Sequence, residues 1–174
     1  MMEQEKDLTA LADDIQQGRD DITVPEELLE ERPPEKAPTR NLQAEIQAMR
    51  VGERLKLALK GNRDARALLI RDPSHLVRRF VLQNARITDE EIVALAKNRN
   101  ADRELLEEVC RRKEWVSNYQ VRLALATNPK TPLSVAVRFV PTLLPRDLRQ
   151  LAKSKNVPTA VCGMAKRLVI ERGG

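Results

Sequence analysis

The six-residue phrase Leu-Ala-x-x-x-Asn recurs along this chain and constrains its fold more than any other feature of the sequence. Four copies are intact, and the run Phe80-Val81-Leu82-Gln83-Asn84 is a looser fifth copy. Asparagine tolerates the left-handed backbone conformation in which many helices end, and a threonine or aspartate able to cap a new helix follows each copy. The phrase therefore predicts brief helices separated by short turns. The asparagines that end the copies are Asn62, Asn84, Asn100, Asn128 and Asn156.

Apolar residues between these asparagines lie three and four positions apart, as in Leu105/Leu106 and Val109/Cys110, which places each set on one stripe of a helix. Thr88 and Glu91 have the spacing of a capping box at the start of one such helix. A helix of about three turns with one buried stripe is not stable alone. The ten predicted helices span residues 41–49, 53–61, 64–71, 74–83, 89–98, 102–113, 118–127, 132–143, 145–154 and 158–170.

Short helices joined by short turns must stack on their neighbours, so the sequence predicts an all-α fold. The arrangement we expect is a short right-handed superhelix, an α-solenoid, of about nine to ten short helices. Aromatic residues make up only 2% of the chain, which favours closely packed helices over a β-sandwich. Because successive asparagines are 22, 16, 28 and 28 residues apart, an irregular helical bundle is the alternative.

The charge of the chain changes sign near residue 40. Residues 1–40 contain 12 acids and 5 bases, net −7, whereas residues 41–174 contain 14 acids and 26 bases, net +12. The first 40 residues also offer little apolar surface and end in a proline-rich stretch. We therefore expect an acidic, mostly disordered tail and linker over residues 1–40, followed by a helical-repeat domain over residues 41–174.

Two segments resemble known helical repeats. RDPSHLVRRFVLQN, residues 71–84, looks like the second helix of a HEAT-type repeat, and NYQVRLALATNPKTP, residues 118–132, resembles the leucine-rich repeat variant. Val77-Arg78 and Val121-Arg122 align in these segments with a shift of 44 residues. The stretch from Asn41 onward is similar to short bacterial helical-repeat proteins of unestablished activity. The leucine-rich repeat variant is associated with a cysteine-ligated iron–sulfur cluster, but this chain has only two cysteines and no cysteine cluster, so no metal site is inferred from the resemblance.

The sequence offers few residues for catalysis. His75 is the only histidine and has no evident partner to orient it as a base, and the six glycines form no phosphate-binding loop. The acidic run Asp89-Glu90-Glu91 is explained by its place in the first turn of a predicted helix. We therefore predict no catalytic, cofactor-binding or metal-binding residue.

Basic and aromatic residues are the candidates for partner binding. Arg78 and Arg122 occupy matching positions, where an ion pair with Asp72 or Asp102 is the structural alternative to ligand binding. Trp115 and Tyr119 interrupt the repeats, either as an exposed anchor or as a buried wedge. A third group of bases has few acids nearby: Arg138, Arg146, Arg149, Lys153, Lys155, Lys166 and Arg167.

These features predict a non-enzymatic protein-interaction module, a scaffold or adaptor that presents a basic surface or groove to another protein or peptide. Nonspecific nucleic-acid binding by the basic C-terminal half is the alternative. A third possibility is an enzyme like the alkylpurine DNA glycosylases, which are also built from HEAT-like repeats. The N-terminus lacks the pattern of a secretion signal and no apolar run is long enough to span a membrane, so we expect a cytoplasmic protein.

Overall fold

A computed structural model describes residues 2–31 and 41–173 of the chain, and these residues form helices and turns without a β-strand. The prediction of an all-α fold is confirmed. The predicted proline-rich linker, residues 33–40, lies outside the described residues. Contacts between residues divide the chain into two compact units, Met1–Ile87 and Thr88–Gly174, which we call unit 1 and unit 2.

Unit 1 contains five α-helices and one 3₁₀ turn in its described residues. The helices are α1 Met2–Gln17, α2 Leu42–Ala48, α3 Val51–Lys60, α4 Arg63–Leu69 and α5 His75–Val81, with the 3₁₀ turn at Glu26–Leu28. Helix α3 packs against α1 on one side and α5 on another, while α4 joins α3 to α5. The core between them is aliphatic, with Ile15, Leu55, Leu57 and Val77 fully buried.

Unit 2 contains seven α-helices and a second 3₁₀ turn in its described residues. The helices are α6 Asp89–Lys97, α7 Arg103–Arg111, α8 Lys113–Val116, α9 Tyr119–Thr127, α10 Leu133–Phe139, α11 Pro145–Ala152 and α12 Thr159–Glu171, with the 3₁₀ turn at Val140–Thr142. The main packing pairs are α6 with α9, α9 with α10, and α12 with both α10 and α11. Helices in this unit thus pack mainly on helices close to them in the chain.

Each of the ten predicted helical ranges overlaps a helix of the structure, whereas α8 was not predicted. The helix starts follow the expected chemistry at two places. Thr88 and Glu91 form the capping box of α6, and the Asp102 carboxylate accepts a hydrogen bond of 2.9 Å from the backbone N–H of Glu104 at the start of α7.

The prediction that the asparagines end helices in a left-handed conformation is wrong. Within residues 2–31 and 41–173, only glycines have a positive φ. Asn62 has φ −72° and ψ 177° and caps the start of α4, where its side chain accepts a hydrogen bond of 3.0 Å from the N–H of Ala65. Asn128, with φ −85° and ψ 121°, follows α9 in an extended conformation. At Asn62, Asn84 and Asn128 the side-chain amide, rather than an unusual backbone angle, accounts for the asparagine.

The amides of three of these asparagines hold backbone carbonyls that precede them in the chain. Asn62 Nδ2 donates to the carbonyls of Glu27 and Glu30 at 2.9 and 3.0 Å. Asn84 Nδ2 donates to the carbonyls of Ala58 and Gly61 at the end of α3, at 3.0 and 3.2 Å. Asn128 Nδ2 donates to the carbonyls of Ala96 and Asn98 at the end of α6, at 2.7 and 3.0 Å. Because all three asparagines are at most 3% exposed, each satisfies carbonyls that water reaches poorly.

Residues 2–31 differ from the predicted disordered tail. Helix α1 packs on α3 and buries Ala12 and Ile15 completely. The apolar stripe of α1 is small, but it is buried because α1 packs against α3. The acids that made the segment look disordered include Asp20, whose carboxylate lies 2.7 Å from the ammonium of Lys56 on α3.

Candidate binding cleft

Arg78 and Arg122 make the same hydrogen bonds at equivalent positions of the two units. Arg78 Nη1 donates to the carbonyls six and five residues before it, those of Asp72 and Pro73, at 2.5 and 3.1 Å. Arg122 Nη1 donates to the carbonyls of Val116 and Ser117, both at 2.7 Å. Each arginine thus ties the start of its helix to the preceding turn, a structural role.

The carboxylate of Asp72 contributes to a different contact. Both of its oxygens accept hydrogen bonds from Arg54 Nη1, at 3.0 and 2.7 Å, and the Asp72 side chain is only 4% exposed. Asp72 therefore links α3 to the turn before α5.

The aromatic pair at the interruption of the repeats is used for packing. Trp115 is 6% exposed, and the Arg112 guanidinium lies 4.4 Å from the centre of its ring. Trp115 is therefore buried and is not an exposed anchor. The Tyr119 hydroxyl donates a hydrogen bond to the Asp147 carboxylate and accepts one of 3.1 Å from the N–H of Leu144. Burial and the Asp147 carboxylate both raise the pKa of Tyr119 above its ordinary value.

The remaining predicted binding residues are all exposed bases, but they lie on several elements. Arg146 and Arg149 lie on α11 and Lys153 is its C-cap; spacings of three and four residues place the three side chains on one stripe, the α11 stripe. Lys155 lies in the turn after α11, and Lys166 and Arg167 lie on α12. Arg149 lines a small cavity between α11 and α12, and Arg138, on α10, lines a larger one.

That cavity is an open cleft of about 620 Å³ in unit 2, between α7, α8 and α10. We call it the α7–α10 cleft. Its volume lies within the range of about 300–1,000 Å³ typical of ligand sites. The cleft is lined by Arg103, Glu107, Cys110, Arg111, Lys113, Val116, Pro132, Ser134, Val135 and Arg138.

Helix geometry explains why these residues meet. Positions 103, 107, 110 and 111 fall on one face of α7, and 134, 135 and 138 fall on one face of α10. The opposite face of α7, with Leu105, Leu106 and Val109, is buried in the core. The amphipathic pattern of α7 therefore directs its charged stripe into the cleft.

Four cations and one carboxylate line the cleft. Glu107 lies 3.0 Å from Arg103 and 4.0 Å from Arg111, and Arg111 also lies 3.6 Å from Glu108. Within residues 2–31 and 41–173, no carboxylate lies within 4.0 Å of the Lys113 ammonium or the Arg138 guanidinium. The cleft thus has an excess of positive charge, and Val116, Pro132, Val135 and Cys110 add apolar surface to it.

Cys110 contributes its side chain as a neutral group. The residue is 7% exposed, and burial raises the pKa of its thiol to about 11, although the nearby Arg138 acts in the opposite direction. Near pH 7 the sulfur is therefore protonated and behaves as part of the apolar surface.

Sequence reasoning identified Arg138 but not the other bases of the cleft. Glu107 and Arg111 have the i, i+4 spacing of an ordinary ion pair on an exposed helix face, and the two side chains lie 4.0 Å apart. The spacing of Arg103, Glu107 and Arg111 could have indicated a charged helix face, because it puts two bases and one acid on a single stripe. Nothing in the sequence indicates that α10 lies opposite this stripe.

None of the helices in residues 2–31 and 41–173 is long and apolar enough to cross a lipid bilayer. The same residues contain no group of three or more histidine, cysteine, aspartate or glutamate side chains placed to hold a metal ion. No protein-family model, no curated protein and no solved structure matches this chain.

Proposed function

We propose that this protein is a cytoplasmic, non-enzymatic interaction module that binds an acidic segment of another protein in the α7–α10 cleft. The observation that supports this function is the cleft itself, where four cations face one carboxylate beside an apolar surface. Two free cysteines fit a reducing compartment.

The proposal includes a HEAT-like α-solenoid as the scaffold. Its support is the repeated hydrogen bonding 44 residues apart, in which Arg78 and Arg122 bind equivalent carbonyls and Asn84 and Asn128 bind the end of an earlier helix. Stacked helical repeats of this kind form extended surfaces suited to binding peptides.

The chemistry of the cleft selects the class of partner. Lys113 and Arg138 offer charge to carboxylates of a ligand, while Val116 and Val135 offer contact to an apolar side chain. The cations are exposed, so each contact adds modestly to affinity, by about 0.2–1 kcal/mol. We expect weak binding, with a dissociation constant of about 0.1–1 mM, of a segment in which acidic and apolar residues alternate.

A charge-reversal experiment tests the function. The probe is a fluorescein-labelled synthetic 12-residue peptide of alternating glutamate and leucine pairs, and binding is measured by fluorescence polarisation. The variant Lys113→Glu/Arg138→Glu is expected to bind at least about tenfold more weakly, because two attractive contacts become repulsive. Both side chains are exposed, so circular dichroism should show an unchanged fold.

The matched control is Arg149→Glu/Lys153→Glu on α11, which changes the net charge equally outside the cleft. We expect it to keep the affinity within about threefold, because exposed charges at a distance are screened at physiological salt. An equal loss in both variants, or no binding by the unmodified protein, contradicts the cleft as the site.

Nonspecific binding of nucleic acid is the second candidate function. The observation that favours it is the stripe of Arg146, Arg149 and Lys153 along α11, all exposed. A row of lysine and arginine side chains can bind the phosphates of a nucleic acid without recognising its nucleotide sequence. The buried Trp115 leaves no indole for stacking on a base, so recognition of single-stranded sequence is not part of this candidate.

A further inference from the structure

Residues 20–31 of unit 1 have the chemistry of a bound acidic peptide, and we call them the acidic segment. They contain six carboxylates, no base and four aliphatic residues. Residues 41–87, on which they lie, contain 10 bases and 4 acids. Charge complementarity thus accompanies the packing of this segment on the rest of unit 1.

The first end of the acidic segment is held by Lys56 on α3. The Lys56 ammonium donates to Asp20 Oδ1 at 2.7 Å and to the carbonyl of Ile22 at 2.5 Å. Asp20 Oδ1 also accepts a hydrogen bond of 3.1 Å from the N–H of Ile22. The Lys56 ammonium therefore binds one carboxylate and one backbone carbonyl of the segment.

The second end is held by the start of α4. Glu31 places one carboxylate oxygen 2.6 Å from Arg66 Nη1 and the other 3.1 Å from the backbone N–H of Arg63. The Arg66 side chain is 2% exposed, and its Nη1 also donates to the carbonyl of Gly61 at 3.0 Å. Removing Glu31 would leave a buried guanidinium without this carboxylate.

Between the two ends, the backbone of the acidic segment is bound directly. The backbone N–H of Asn62 donates to the carbonyl of Leu28 at 2.7 Å, and its side chain holds the carbonyls of Glu27 and Glu30. Arg86 Nη1 donates to the carbonyl of Leu29 at 2.7 Å. The polar contacts are therefore made to the backbone carbonyls of the acidic segment and to the acid at each of its ends. They place little demand on the side chains between those two acids.

Two aliphatic side chains anchor the acidic segment. Val24 and Leu28 are 8% and 6% exposed and belong to the core cluster of unit 1. The segment has little helix of its own, a 3₁₀ turn at Glu26–Leu28, so its conformation depends on these contacts. Recognition of acidic motifs by clustered arginines is a recurring mode of peptide binding.

We propose that the surface formed by Lys56, Asn62, Arg66 and Arg86 is a second peptide-binding site, separate from the α7–α10 cleft and occupied in cis by the acidic segment. Its ligands are acidic peptides with the order of residues 20–31: an acid, spaced aliphatic anchors, and a final glutamate. A peptide of this kind from another protein competes with the chain's own segment. Because the acidic segment belongs to the same chain, it acts at an effective concentration of about a millimolar. A weak ligand therefore competes only when its own concentration is high or when the contacts of residues 20–31 are weakened.

The test uses the full chain and a fluorescein-labelled peptide with the sequence of residues 20–31. In the variant Asp20→Asn/Glu31→Gln the cis segment loses both terminal carboxylates. We expect the labelled peptide to bind this variant at least tenfold more tightly than it binds the unmodified chain. A labelled peptide that has the same two substitutions is expected to lose at least tenfold in affinity for the variant, since it lacks the groups that Lys56 and Arg66 hold.

Two controls separate this site from the cleft. Adding Lys113→Glu/Arg138→Glu to the variant is expected to leave the peptide affinity within threefold, and hydrogen exchange should show protection on α3 and α4. Equal binding to the variant and the unmodified chain overturns the proposal, as does loss of binding with the cleft substitutions. Loss of helical circular dichroism in Asp20→Asn/Glu31→Gln also overturns it, since the segment would then be part of the fold and not an exchangeable occupant.

Discussion

The carboxylate of Asp20 lies 2.7 Å from the Lys56 ammonium, and only 2% of the Asp20 side chain is exposed. The hydrogen bond from Lys56 is the main reason why the pKa of Asp20 lies below its ordinary value of 3.8, and the N–H of Ile22 adds to the effect while burial opposes it. Asp20 therefore binds a proton less readily in the folded chain than in the unfolded chain. Its contribution to stability is complete above the ordinary pKa and is lost as the pH falls through the lower folded value.

This linkage gives a pH-dependent prediction for Asp20→Asn. At pH 7 we expect the substitution to lower the free energy of unfolding by about 2 kcal/mol, because a hydrogen bond between charged groups is lost. The difference from the unmodified chain should narrow as the pH falls below 3.8 and disappear only below the lowered pKa of the folded state, where Asp20 is protonated in both the folded and the unfolded chain. Urea unfolding followed by circular dichroism measures both values.

Asp21→Asn is the matched control, because Asp21 is the next residue and is exposed. We expect its effect to stay within about 0.5 kcal/mol at every pH. A difference for Asp20→Asn that does not change with pH would argue against the ion pair as its cause.

At the scale of elements, the buried asparagines define how one helix is fixed to another. Asn84 links the end of α5 to the end of α3, and Asn128 links the end of α9 to the end of α6. Each amide supplies two donors, and its oxygen accepts a hydrogen bond of 2.9 Å from the N–H two residues later, on Arg86 or Lys130. One side chain thus satisfies three backbone groups at a junction between helices.

We predict that Asn84→Ala and Asn128→Ala each lower the free energy of unfolding by about 2–3 kcal/mol, since each removes two amide hydrogen bonds to backbone carbonyls at a buried junction between helices. Asn128→Asp should cost more, because it places a carboxylate against the carbonyls of Ala96 and Asn98. Urea unfolding at pH 7 provides the measurement.

The same recurring phrase supplies controls for this prediction. Asn100 and Asn156 end two of its copies but are exposed. Their replacement by alanine should change stability by less than about 0.5 kcal/mol. Similar effects at all four positions would show that position in the phrase, and not the buried amide, determines the effect.

The helices of residues 41–173 were predictable because their apolar spacing is a local property of the sequence, as in Leu105, Leu106 and Val109. Two features could not be predicted from local sequence. The first is the packing of helix α1 on α3, which the acidic composition of residues 1–40 does not indicate. The α7–α10 cleft brings Arg138 opposite Arg103 and Arg111, a proximity set by packing between helices. The asparagine phrase was recognised, but its chemistry was assigned to the backbone instead of the amide.

At the scale of the whole molecule, the charge is distributed unequally between the units. Unit 1 contains 16 acids and 15 bases, net −1, and unit 2 contains 10 acids and 16 bases, net +6. Residues 1–40, net −7, offset residues 41–87, net +6. Unit 2 therefore accounts for the basic character of the protein.

This distribution predicts where a polyanion binds. For a 20-base-pair DNA duplex, we expect the logarithm of the binding constant to fall with the logarithm of salt concentration with a slope of about −3, as three phosphate contacts along α11 would give. Arg149→Glu/Lys153→Glu should reduce the magnitude of that slope by about 2. Electrophoretic mobility shifts over a range of salt concentrations measure the slope.

Arg71→Glu/Arg79→Glu is the corresponding control in unit 1, where both side chains are exposed. We expect it to leave the slope unchanged. A slope that responds equally to both pairs would show that net charge alone, and not the stripe on α11, attracts the duplex. Loss of duplex binding with retained peptide binding in Arg149→Glu/Lys153→Glu would assign the two ligands to different surfaces.

The carbonyls that the buried asparagines hold lie at different distances back along the chain. They are 35 and 32 residues before Asn62, 26 and 23 before Asn84, and 32 and 30 before Asn128. The intervening chain can therefore gain or lose a turn by insertion or deletion while the junction survives. A junction of this kind constrains the two chain segments that it joins and leaves the length of chain between them free to vary.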